Sequence, residues 1–131
     1  MNEDRRHALG RRGEELAAAH LRELGFATLA RNVRTRHGEI DLIAFDGRAL
    51  VFAEVKTRCV SARQRALRDS QNPLHGLGAQ QRRRLRRLAS AWMREQRGRR
   101  PSAEIVRFDA IGVVLDTSGA RRRIDHVEGA F

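Results

Sequence analysis

Tyrosine is absent from this chain of 131 residues, aromatics make up only 5% of it, and cysteine occurs once. A single cysteine, Cys59, rules out an intrachain disulfide and fits a reducing compartment. It also leaves no Cys/His set at the spacing of a zinc site. Scarce aromatics argue against reading single-stranded nucleic acid by base stacking. No apolar run approaches the length of a membrane span, and the opening MNEDRRHALG lacks the apolar core of a signal sequence. The expectation is a cytoplasmic protein with no membrane partner. Lysine is nearly missing too: of 27 lysine and arginine residues, only Lys56 is a lysine.

What is present is charge. Charged residues make up 33% of the chain and the formal net charge is +11. Such an excess points to polyanions, nucleic acid first. The length suits one domain, residues 1–131, with a core of its own.

The informative stretch is Gly38 to Arg58, GEIDLIAFDGRALVFAEVKTR. It reads as two apolar strands around Asp46-Gly47, a strong hairpin signal. A two-residue turn there pairs Phe45 with Arg48, Glu39 with Glu54 and Asp41 with Phe52. Alternation then puts Glu39, Asp41, Glu54 and Lys56 on one face with Ile43, Leu50 and Phe52. Ile40, Leu42, Val51 and Val55 take the other face. Asp41 and Glu54 become diagonal neighbours, roughly 7–8 Å apart at the backbone. Carboxylates on a covered strand cost several kcal/mol each unless a cation compensates, and Arg, Lys or a metal ion could supply it. Hard oxygen donors of this kind suit Mg²⁺ or Mn²⁺. Lys56 differs from the arginines around it in being a compact charge that can shift its pKa and handle a proton.

Asp41 followed by Glu54-x-Lys56 on the next strand resembles the signature of the PD-(D/E)xK nuclease superfamily. More narrowly, GEIDLIA, FAEVKTR, VRFDAI and the terminal GAF resemble the uncharacterised bacterial YraN-like family over nearly the whole chain. The archaeal Holliday-junction resolvases are also similar, with a first-helix glutamate in the place of Glu14. The resemblance implies an α/β fold, a restriction-endonuclease-like mixed β-sheet flanked by helices. It implies a catalytic set of Glu14, Asp41, Glu54 and Lys56, with a metal held by Asp41, Glu54 and the Val55 carbonyl. Lys56 would orient or help deprotonate the attacking water. Glu39 and Asn32 would stand in or just outside that set.

Around the hairpin, periodicity predicts a helix over 4–25, firm from about Gly13 because Gly10 and Gly13 weaken its first turns. Glu14 points inward and Glu15 outward. A first strand covers 26–34. Residues 58–78 read as a long irregular stretch, helical in part over 61–69, that could act as a lid. Arg58, Arg63, Arg65 and Arg68 would meet phosphates there. A second helix covers 79–97, with Leu85, Leu88, Ala89, Trp92 and Met93 inward. Its opposite side carries Arg83, Arg86, Arg87, Arg94 and Arg97, a surface for a nucleic-acid backbone. Two strands, 103–116 and 122–128, close the chain around a turn at 117–119. Asp109 pairs with an arginine, outside the active centre.

Two functions follow as expectations. One is a metal-dependent nuclease hydrolysing phosphodiester bonds in DNA, branched or damaged DNA included. The other is a non-catalytic nucleic-acid-binding module that keeps the fold. A resolvase-like role would require a homodimer.

Overall fold

The computed structural model describes residues 3–61 and 78–131. Its elements are α1 (Glu3–Glu23), β1 (Ala27–Thr35), β2 (Gly38–Phe45), β3 (Ala49–Cys59), α2 (Ala79–Glu95), β4 (Ile105–Leu115) and β5 (Arg121–Val127). The strands form one five-stranded sheet in chain order. β3 and β4 run parallel, and the other neighbours antiparallel. This is the α/β, restriction-endonuclease-like mixed sheet flanked by helices that the sequence implied. Residues 62–77, most of the expected lid and of its helical part with Arg63, Arg65 and Arg68, lie outside the described residues. Residues 58 and 59, expected to be irregular, continue β3 beside β4 instead.

The sheet is buried on both sides because it is apolar on both sides. Ala17, Ala18 and Leu21 of α1 pack on Leu42, Ala44, Val51, Ala53, Ile111 and Val113. Leu85, Leu88 and Ala89 of α2 pack on Ile40, Ile43, Leu50 and Phe52. Trp92 joins that second layer, edge-on to Phe52 at 5.7 Å, as a core residue. Among the described residues no helix is long and apolar enough to cross a membrane.

α1 begins earlier than its glycines suggested. Gly13 is buried, and a methyl group added there would overlap the Thr57 side chain. Its lack of a side chain lets the helix lie close on β3. The helix is capped just past Glu23 by Gly25 (φ +96°), where Phe26 N–H donates to the Leu21 carbonyl at 2.9 Å and Gly25 N–H to that of Arg22 at 3.0 Å. This glycine cap turns the chain straight into β1.

The β2–β3 turn differs from the expected two-residue form. Phe45 pairs with Leu50, not Arg48. The Asp46 carboxylate accepts the N–H groups of Arg48 (2.9 Å) and Ala49 (2.7 Å), which sets the loop at residues 46–48. The register thus moves by two, and β3 keeps its faces. Carried onward, it sets Asp41 level with Glu54 and Glu39 level with Lys56, although the paired ladder stops at Leu42 and Ala53.

Candidate active site

Glu39, Asp41, Glu54 and Lys56 do not share one face, because β2 breaks its alternation. Gly38 and Ile40 face α2, as does Ile43, while Leu42 and Ala44 face α1. The break therefore falls at Asp41–Leu42. β1 breaks at the matching place: Ala30 and Val33 both pack in the α2 layer. Between them Asn32 adopts a left-handed conformation (φ 50°). Arg31 pairs with Leu42 and Val33 with Ile40, so Asn32 stands across from Asp41. Two neighbouring strands thus kink together. The kink turns Glu39 and Asp41 toward α1, against the expectation that they would accompany Phe52.

Glu14, in the turn of α1 pressed onto the sheet by Gly13, meets them there. One carboxylate oxygen from each of Glu14, Glu39 and Asp41 lies within 4.8 Å of the others. Asn32 donates a hydrogen bond to Glu14. The Val55 N–H donates to Asp41 Oδ2 at 2.8 Å, at the fork where β2 and β3 part. Glu15 is exposed, as expected, beside Arg12. Glu54 alternates with Ala53 and Val55 of the α1 layer, so it and Lys56 face the α2 side. Arg84 of α2 acts on Glu54 from there. The acids therefore approach the fork from both faces.

Electrostatics tie them together across it. Burial first, then repulsion from Glu54, pushes the Asp41 carboxyl up to about 7. Glu14 and Glu39 push the same way, and only the Val55 N–H opposes. Burial also raises Glu14; the Asn32 bond holds it down and Glu39 adds repulsion. Glu54 is raised by burial, opposed by Lys56 and then Arg84. Glu39 is held by Arg34 at 3.6 Å. The charges that act most strongly on Asp41 are negative. A cluster of hard oxygen donors short of positive charge fits a divalent cation such as Mg²⁺ or Mn²⁺.

Of the arginines expected on nucleic acid, Arg86, Arg87 and Arg94 line a groove between α2 and the β1–β2 turn, and Arg83 and Arg58 do not. Arg86 also lies over the Phe108 ring, at 5.2 Å. Arg34 and Arg84 escaped the sequence reading. Arg84 falls off the period of the chosen arginine face, and Arg34 was counted only as part of a strand.

A second polar network lies apart from this site. Asp109 is fully buried and accepts from Arg107 (2.9 Å twice), His126 Nε2 (2.7 Å) and the Gly129 N–H (3.1 Å). Its expected arginine partner is thus Arg107. His126 Nδ1 in turn meets His20 Nε2 at 3.0 Å. The bond from Gly129 ties down the chain after β5, as does the Ala130 N–H on the Phe108 carbonyl at 2.8 Å.

The chain is similar to known proteins over most of its length. The model for "Uncharacterised protein family UPF0102" matches residues 13–113. A UPF0102 protein of Nocardia farcinica is 44% identical over 126 residues, covering 96% of this chain and 91% of the relative. One from Streptomyces griseus is 46% identical over 115 residues, with 88% and 89% covered. One from an Arthrobacter species is 43% identical over 121 residues, with 92% and 93% covered.

Proposed function

The chain belongs to the uncharacterised protein family UPF0102, and from that premise we propose that it is a divalent-metal-dependent nuclease that hydrolyses phosphodiester bonds in DNA. The observation that carries the reading is the meeting of Glu14, Glu39 and Asp41 within 4.8 Å, at a fork that Glu54 and Lys56 flank. The likeness of Asp41 and Glu54-x-Lys56 to the PD-(D/E)xK signature supports it.

Glu14, Glu39 and Asp41 would hold Mg²⁺ or Mn²⁺ on the α1 side of the fork, with Glu54 approaching it from the other face beside the Val55 carbonyl. When bound, the cation supplies a Lewis acid for the phosphoryl oxygen and lowers the pKa of water. The chain's own groups do the rest. Asn32 and the Val55 N–H fix the carboxylates of Glu14 and Asp41. Lys56, the one compact ammonium, comes to the fork from the α2 side with Glu54, where it would orient the attacking water and stabilise charge gathering on the phosphate. Hydrolysis forms a bond from the water oxygen to phosphorus as a bridging P–O bond breaks, and the leaving oxygen takes a proton.

The test incubates the protein with supercoiled plasmid and with a four-way junction, in Mg²⁺ or Mn²⁺. Cleavage is expected from the native chain, and a loss of about 10²-fold or more from Lys56→Ala. Mn²⁺ binding by calorimetry should vanish in Asp41→Ala and persist in Lys56→Ala. Failure of the native chain to cut either substrate while still binding DNA would replace this reading with that of a non-catalytic nucleic-acid-binding module. The arginine groove favours that second reading independently of the carboxylates.

A further inference from the structure

The groove between the β1–β2 turn and α2 measures about 1010 Å³. Arg34, Arg36 and His37 line one wall, and Arg84, Arg87 and Arg94 the other. Arg34 and Arg84 belong to the acidic site as well. Arg34 holds Glu39 at 3.6 Å, and Arg84 acts on Glu54. Gly38 lies beneath Arg84, and a Cβ there would sit 3.4 Å from the Arg84 Cδ. Arg34 and Arg84 thus connect the groove, on the α2 face, with the carboxylates at the rim of the sheet.

We propose that this groove is the track for one phosphate backbone of double-stranded DNA, gripped without regard to sequence. Three features select that occupant. Its walls carry arginine, which suits phosphate oxygens. Among its lining residues His37 supplies the only ring, so unpaired bases find no stacking platform. Arg84 and Arg94 stand ten residues apart on α2, about 15 Å of helix axis, which matches roughly four base-pair steps of duplex. A backbone lying there would reach the acids by crossing the rim of the sheet at its Arg34 end, where Arg34 holds Glu39. That last link rests on the nuclease reading; the grip on DNA does not.

The experiment uses the Asp41→Ala chain, so that nothing is cut, in EDTA. Fluorescence anisotropy follows binding to a duplex of arbitrary sequence and to one of its strands, over a series of salt concentrations. Adding Arg87→Glu and Arg94→Glu should weaken duplex binding at least tenfold and reduce the salt slope by about 2, one per lost phosphate contact. Arg22→Glu with Arg122→Glu, the same change of charge placed elsewhere, should cost less than threefold. Thermal melts check folding, and Arg87→Gln with Arg94→Gln serves if the charge-reversed chain unfolds. Three results would each overturn the proposal: an equal loss from the Arg22 and Arg122 pair, single strand bound as tightly as duplex, or groove-dependent binding to phosphatidylserine vesicles without binding to DNA. If the groove variants behave as expected while native protein cuts nothing, the nuclease reading falls and the track stands.

Discussion

Asn32 and Asp41 face each other across β1 and β2, at the one place where both strands reverse their faces. Asn32 holds Glu14 and Asp41 takes the Val55 N–H, so the kink sets the positions of the acids. Asparagine is among the few residues that enter the left-handed region readily, and its short amide also reaches Glu14. Replacement by glycine should keep the backbone and lose the bond, whereas alanine loses both. We expect Asn32→Ala to be about 1–2 kcal/mol less stable than Asn32→Gly by urea unfolding. Both should bind Mn²⁺ more weakly than the native chain. Native Mn²⁺ affinity in Asn32→Gly would show that the amide does not position Glu14.

The raised Asp41 carboxyl makes stability depend on pH in a direction that can be worked out. Its proton is held more tightly in the folded chain, up to about 7 against an ordinary 3.8. Across that window the folded state carries more protons than the unfolded one. Raising the pH therefore costs stability, in full above about 7. Asp41→Asn should be more stable than the native chain in EDTA at pH 8, by roughly 1–4 kcal/mol, with the gap closing toward pH 4. Mg²⁺ or Mn²⁺ should raise the native melting temperature more at pH 8 than at pH 5. Parallel melting curves for the native and Asn chains across that range would contradict this account.

Gly13 sets how close Glu14 comes to the sheet. Gly13→Ala forces a methyl group into Thr57 and should cost about 1–3 kcal/mol by denaturant titration. Pairing it with Thr57→Ala removes part of the overlap, so the double variant should recover part of the loss. Additive losses would mean that helix and strand do not press together there.

Asp109 should matter to stability without mattering to the metal. Burial alone would raise its pKa, but His126, Arg107 and the Gly129 N–H outweigh that and hold it low. Asp109→Ala leaves Arg107 with Glu128 and His126 with His20, and frees the chain after β5, a loss of up to about 3–5 kcal/mol for a broken buried pair. Chemical denaturation at pH 7.5 measures it. Mn²⁺ affinity measured on the remaining folded protein should be unchanged; a weakened affinity would join the two networks.

Helices, strands and their order were legible because they rest on local signals. Leu85, Leu88 and Trp92 fall at helical spacing, and Gly25 and 117–119 mark turns. The site was legible in its members rather than its geometry. Strict alternation put Ile40 with Leu42, yet they lie in opposite layers. Nothing in the text GEIDLIA announces a kink, since it depends on Asn32 of another strand. The hairpin register failed for a nearer reason: the Asp46 side chain competes for the turn's N–H groups and lengthens the loop. Gly13 was read as a weak spot in an isolated helix, and its value emerges only once Thr57 is opposite it.

The parallel pairing of β3 and β4 obliges the chain to travel back along the sheet before resuming, and α2 makes that return journey on the wall opposite α1. The arginine groove and the carboxylate cluster are consequently mounted on opposite sides of a single partition. A molecule that engages both has to straddle the rim at the β1–β2 turn, as a rope lies over a fence, and a ligand confined to either wall touches only half of the tool.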